Sequence, residues 1–119
     1  MNFLKFKYYF WRLKKNYKSF LSAKKKYNLK NEEKRKFINF FIRDEEDKIL
    51  NKKVLDNFDK QIQKYKRELY KKENIISKNL FSLGIADLNY INILYDFKIS
   101  EEDSIIIKES LKLKIGNNF

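Results

Sequence analysis

The feature that most limits the possible folds of this 119-residue chain is its lack of turn-forming residues. It contains no proline, and glycine occurs only at Gly84 and Gly116. A sheet protein needs turns bearing glycine or proline roughly every ten residues, whereas long helices tolerate their absence. The sequence therefore predicts an all-α fold.

The composition restricts the function more than it specifies it. Apolar residues make up 43% of the chain, which is too hydrophobic for a disordered protein despite 37% charged residues. The chain has no cysteine and no histidine, which excludes disulfides and the usual zinc ligands and removes the commonest general base. We therefore expect a protein without catalysis, metal or cofactor of its own. No apolar run reaches the length of a membrane span.

The positive charge is concentrated at one end of the chain. Residues 1–43 carry 14 Lys and Arg against two acids, Glu32 and Glu33, whereas residues 44–119 carry 14 of each sign. The net charge of +12 therefore belongs to the N-terminal third. A field of one sign attracts a partner of the opposite sign and raises the encounter rate. The charge distribution thus predicts an anionic partner, although a solvated helix face is the simpler interpretation.

Residues 3–27 are predicted to form the first helix, because apolar residues recur there at steps of three and four. Leu4, Tyr8 and Trp11 lie off this stripe, and so widely apolar a helix usually contacts something beyond its own core. The opening segment is amphipathic and acid-free like a transit peptide, but we interpret it as structural. The stripe consists of Phe3, Phe6, Phe10, Leu13, Tyr17, Phe20 and Leu21.

Four further helices are predicted from local start and stop signals. Asn31 is the expected N-cap of the second helix, and the acidic cluster Asp44–Asp47 opens a long third helix that ends at Gly84. Shorter helices follow over Asp87–Phe97 and from Ser100, which begins a capping-box-like sequence. The expected architecture is an antiparallel three-helix bundle with two additional short C-terminal helices. Its expected domains are a basic body over residues 1–84 and a helical extension over residues 85–119.

Two short segments carry a family resemblance. Phe10-Trp11-Arg12, followed by Lys15, lies early in the first predicted helix, and Phe41-Ile42-Arg43 closes the second. This arrangement resembles the LYR-motif (complex I LYR-like) family of mitochondrial proteins, which have Leu-Tyr-Arg in the first position and an apolar–Arg pair in the second. The similarity covers roughly residues 8–72. Bulkier aromatics replace the family's Leu and Tyr, and Ile42 replaces its Phe.

The resemblance implies a three-helix body bound by mitochondrial acyl carrier protein, whose acyl-phosphopantetheine arm enters an apolar channel between the helices. It implies a non-catalytic accessory subunit of a respiratory-complex type of assembly, on the matrix side of mitochondria. Arg12 is the expected ligand of the phosphate or of a carboxylate, because a guanidinium binds both through paired hydrogen bonds. The surrounding cations would be Lys15, Arg35, Lys36 and Arg43, and the channel lining would be Phe10, Phe37, Phe41, Phe58 and Ile62. For each of these aromatics, ordinary core packing is the competing interpretation.

Three other functions use the same residues differently. In a small organellar ribosomal or other RNA-binding protein, Lys24-Lys25-Lys26 and Lys34-Arg35-Lys36 would neutralise phosphates while Tyr8, Tyr9 and Trp11 stack on unpaired bases. A structural subunit would instead lay its wide apolar first helix along a neighbour. A basic amphipathic helix could also rest on an anionic membrane surface.

Overall fold

The structure, a computed structural model, describes residues 2–85 and 96–116. Within those ranges the chain forms helices and no strands, which confirms the all-α prediction. No helix in the described ranges combines the length and apolar character that crossing a lipid bilayer requires. The helix predicted over Asp87–Phe97 lies almost entirely outside the described residues. The structure describes the bounds of four helices: α1 (Phe3–Phe41), α2 (Glu45–Leu50), α3 (Lys52–Ser82) and α4 (Glu101–Gly116).

α1 is one continuous helix where the sequence predicted two. The prediction of an N-cap at Asn31 was wrong, because the Asn31 side-chain amide donates to the Tyr27 carbonyl one turn earlier, at 3.0 Å. Pairs of opposite charge three or four residues apart also support the helix here, including Lys30 with Glu33 at 2.8 Å. With no glycine or proline to interrupt it, the helix continues to Phe41. The described helices therefore do not confirm the predicted three-helix bundle with two short C-terminal helices.

The acidic cluster starts a helix as predicted, but that helix is the short α2. Asp44 is its N-cap, and one Asp44 carboxylate oxygen accepts from the Asp47 amide at 2.9 Å. The Asp47 carboxylate in turn accepts from the backbone amide of Arg43 at 2.8 Å. α2 ends at Leu50, and the side chain of its C-cap, Asn51, donates to the Asp47 carbonyl at 2.8 Å. The long amphipathic helix α3 begins only afterwards.

The predicted stop at Gly84 and start at Ser100 are both confirmed. Gly84 has φ +72° and donates to the Phe81 carbonyl at 2.9 Å, while Ile85 donates to the Leu80 carbonyl at 2.9 Å. This pair of bonds is a Schellman motif, which needs a left-handed residue such as glycine after the last turn. The Ser100 hydroxyl accepts from the Asp103 amide at 3.2 Å and so caps the start of α4.

The chain divides into two compact units, and unit 1 (Met1–Phe20 and Lys71–Phe119) contains most of the buried core. Its core includes one polar pair, in which the Asn16 side-chain amide donates to the side-chain oxygen Oδ1 of Asn79 at 3.1 Å. Such a pair favours one register of the facing helices, since sliding one helix would leave the Asn16 donor and the Asn79 acceptor without each other. The buried apolar residues are Phe6, Phe10, Leu13, Phe20, Ile76, Leu80, Leu83, Ile85, Ile107 and Leu111.

Unit 2 (Leu21–Tyr70) is a helical hairpin with a much thinner core. The end of α1 contacts the beginning of α3 through the Lys34–Asp59 ion pair and through Phe37 and Phe58, whose ring centroids are 5.6 Å apart. Ala23 is its only buried apolar residue among those described. At the turn of the hairpin, five large apolar side chains are between 42% and 79% exposed: Phe40, Phe41, Ile49, Leu50 and Val54.

Candidate docking surface on the first helix

Four aromatic rings near the start of α1 each have a Lys or Arg side chain from the next helical turn lying over the ring. Helical side chains lean toward the N-terminus, so a long cationic side chain at position i+4 reaches back over the ring at position i. Cation-to-centroid distances are 5.4 Å (Lys7–Phe3), 5.9 Å (Arg12–Tyr8), 5.2 Å (Lys14–Phe10) and 5.3 Å (Lys15–Trp11).

Two of these pairs form an exposed surface, which we call the docking face: Tyr8, Trp11, Arg12 and Lys15. Tyr8 and Trp11 are each 54% exposed, and both cations are exposed as well. The rings themselves contact one another, with centroids 6.5 Å apart. Each cation thus keeps its charge in solvent while its side chain is restrained against a ring, which reduces the entropy it loses on binding a carboxylate or phosphate. The docking face can therefore hold an anionic group with little reorganisation.

The three residues of the predicted motif have different environments. Phe10 is buried in the core of unit 1, where its ring lies 5.8 Å from that of Phe6. Trp11 and Arg12 point outward onto the docking face. The predicted partner-binding residues Arg12 and Lys15 are thus brought together in unit 1.

The remaining predicted cations belong to unit 2. Arg35 and Lys36 are exposed on α1, and both pair with Glu32, at 3.8 Å and 3.6 Å. Arg43 is exposed in the short connection between α1 and α2. The five predicted cations are therefore divided between the two units, and those on α1 in unit 2 are partly neutralised by their own helix.

The predicted channel residues are divided in the same way. Phe37, Phe41 and Phe58 form one aromatic cluster in unit 2, with Phe37 lying 4.9 Å from Phe41 and 5.6 Å from Phe58. Ile62, one turn after Phe58 on α3, is half-buried in the same unit. Phe10 packs in unit 1 instead.

Comparison with protein-family models, with curated proteins and with solved structures finds no match to this chain. The candidate site therefore depends on its own geometry. Within the described ranges, no group of three or more carboxylates comes together as a metal-binding site.

Sequence reasoning missed the participation of Lys7 and Lys14, although the signal was present. Aromatic residues followed four positions later by a cation occur repeatedly in the first 15 residues. It also missed Phe97, whose ring stacks on that of Phe6 at 4.0 Å with an interplanar angle of 3°. No local pattern could have revealed this contact, because the two residues lie far apart in the chain.

Tyr17, on the same segment of α1, has an ionisation that can be tested. Burial, and secondarily the negative charge of Glu109, raise the pKa of the Tyr17 phenol above its ordinary value of 10.0. The folded protein therefore keeps this proton at a pH where the unfolded chain loses it, and stability falls as pH rises past 10. We expect the free energy of unfolding to fall less steeply above that pH in Tyr17→Phe than in the wild type, measured by urea denaturation.

Glu109→Gln should lower the pKa of Tyr17 in an NMR titration without restoring the ordinary value, since burial is the larger cause.

Proposed function

We propose that this chain is a non-catalytic docking protein that binds an acidic protein partner through the docking face of α1. The observation that carries the proposal is the pair of exposed ring–cation contacts, Arg12 over Tyr8 and Lys15 over Trp11. Both lie in a stretch of 31 residues that contains ten Lys and Arg and no acid. Aromatic residues and arginine are the side chains that most often supply binding energy at protein interfaces.

The long-range field supports the same partner chemistry. The positive excess of residues 1–43 steers an acidic surface toward α1 before any contact forms. Restrained cations beside exposed rings then provide short-range contacts. A partner with a cluster of carboxylates next to apolar surface fits both features.

Unit 2 supports membership in a larger assembly. Five large apolar side chains are exposed between residues 40 and 54, at its hairpin turn, and such a concentration is more typical of an interaction surface than of single surface hydrophobic residues. We infer that this turn contacts a host complex while the docking face holds the acidic partner. The chain would then act as an accessory subunit.

The LYR-motif resemblance makes the proposal more specific. Under it, the acidic partner is acyl carrier protein, the host is a mitochondrial assembly of the respiratory-complex type, and the location is the matrix side. Arg12 would hold the phosphate of phosphopantetheine, and its exposure leaves the guanidinium accessible to one. Phe37, Phe41 and Phe58, which the resemblance implies as part of the acyl channel, form a cluster in unit 2.

RNA binding, as in a small organellar ribosomal protein, is the second candidate. Lys24, Lys25 and Lys26 are all exposed and could neutralise consecutive phosphates. Tyr8 and Trp11 are exposed enough to stack on unpaired bases, although each ring already has a cation over it.

Co-purification distinguishes the two candidates. The tagged full-length protein is co-expressed with an acyl carrier protein, purified at low salt, and weighed by native mass spectrometry while absorbance at 260 nm is recorded. We expect an added mass equal to that of the acylated carrier protein. An eluate that contains RNA instead, and releases it at high salt, would contradict the acidic-protein proposal and support the ribosomal one.

A further inference from the structure

Unit 1 contains an open cleft between the first turns of α1 and the segment that leads into α4. Its volume is about 600 Å³, which is within the usual range of ligand pockets. The stacked rings of Phe6 and Phe97 form part of its wall. Lys98, also in its wall, has φ 51°, a left-handed conformation that is uncommon for a lysine and that turns the chain between Phe97 and α4.

The cleft combines aromatic walls with a positive rim. Six aromatic side chains line it, together with three lysines and one carboxylate, Asp103. Lys7 lies over the Phe3 ring, and Lys14 lies over the Phe10 ring and 3.7 Å from Asp103. Lys98 adds the third cation. The charge balance at the rim is therefore positive, so the cleft favours an apolar group that carries negative charge beside it.

Trp11 connects the cleft to the docking face. It lines the cleft and is also one of the two exposed rings of the docking face. A segment of a partner that lies on the docking face can therefore reach the cleft without crossing another part of the surface. This continuity favours a segment of a bound protein as the occupant.

We propose that the cleft receives one aromatic side chain of the acidic partner, while neighbouring carboxylates of that partner pair with Lys7 and Lys98. This inference rests on the proposed function, because it specifies which part of an acidic protein is bound. An aromatic side chain fits the walls because offset stacking against several rings adds to the stabilisation from burial. An anchor of this kind, surrounded by charged contacts, is the usual organisation of an interface hot spot.

The test measures the fluorescence of Trp11, the only tryptophan of the chain, during titration with two peptides. One is a short run of Asp and Glu with a single central Phe, and the other has Ala in place of that Phe. We expect the Phe peptide to bind about tenfold to a hundredfold more tightly, as burial of one aromatic side chain predicts.

Variants then locate the binding site. Phe97→Ala and Lys98→Glu should each weaken binding of the Phe peptide about tenfold, because the first removes a wall ring and the second reverses a rim charge. Phe81→Ala is the matched control: Phe81 is in unit 1, 78% exposed and absent from the cleft, so affinity should not change. Lys98 is exposed, so Lys98→Glu tests the cleft even if Phe97→Ala disturbs the fold, which circular dichroism will show.

Failure of this inference and failure of the proposed function give different results. If the Phe and Ala peptides bind equally and Arg12→Glu weakens both, docking on an acidic partner stands and the anchor cleft is disproved. If neither peptide binds while single-stranded RNA does, both proposals are wrong.

Discussion

Leu13→Ala is expected to lower the free energy of unfolding by about 2–5 kcal/mol, the usual cost of deleting most of a fully buried leucine side chain. Leu13 has no exposed surface and lies in the core of unit 1, which also contains the fully buried Leu80 and Ile107. The substitution removes apolar contacts and leaves a cavity. It does not change the charge, and alanine favours the helix at least as much as leucine does. Urea denaturation followed by circular dichroism measures the effect.

The matched control is Leu4→Ala, the same substitution on the same helix and in the same unit. Leu4 is 76% exposed, so its replacement should change stability by no more than about 0.5 kcal/mol. Equal losses for the two variants would show that α1 packs through a different face from the one described. That result would also remove the basis for the docking face, which lies on the exposed side of the same turns.

The double charge reversal Arg12→Glu with Lys15→Glu is expected to weaken binding of an acidic partner about a hundredfold, equivalent to about 2.8 kcal/mol. It replaces both cations of the docking face with carboxylates that repel the partner, and it removes the cation–ring contacts to Tyr8 and Trp11. Isothermal titration calorimetry against acyl carrier protein gives the affinity. The wild-type affinity should also fall as salt is raised, because salt screens exposed charges.

Lys60→Glu with Lys64→Glu is the control for net charge, since it changes the formal charge by the same amount. Both lysines are exposed on α3 in unit 2, away from the docking residues in the sequence. This variant should bind nearly as tightly as the wild type. Equal weakening by both double variants would indicate attraction by overall charge alone and would contradict a docking face. With RNA as the ligand, a modest weakening by either double variant is expected, because each removes two phosphate contacts among many.

Local signals in the sequence predicted the ends of several elements correctly. The stop at Gly84 and the starts at Asp44 and Ser100 each depend on hydrogen bonds within a few residues, so the chain alone specifies them. Asn31 misled the prediction because an asparagine can cap a helix or bond to the preceding turn inside one. The neighbouring turns favour the second, because the Lys30–Glu33 pair spans Asn31 and the Glu32–Lys36 pair follows it.

The candidate site was predictable only in part. Arg12 and Lys15 were identified from the sequence, and their placement beside exposed rings follows from helix geometry once α1 is known. The cleft was not predictable, because it requires Phe97 to stack on Phe6 from the other end of the chain. Nor could spacing distinguish Leu13 from Phe3 and Leu21, since all three lie on the predicted apolar stripe although Phe3 and Leu21 are exposed.

The sequence by itself determined that the chain is helical and that its positive charge lies in the first third. It also determined where a glycine ends one helix and where polar side chains cap the start of others. These properties depend on backbone conformation and on residues close together in the chain. The tertiary structure alone decided which apolar side chains of α1 are buried, that Asn16 faces Asn79, and that Phe97 closes one wall of a cleft. Packing of distant segments makes those choices, because burial is a property of neighbours that only the folded chain brings together.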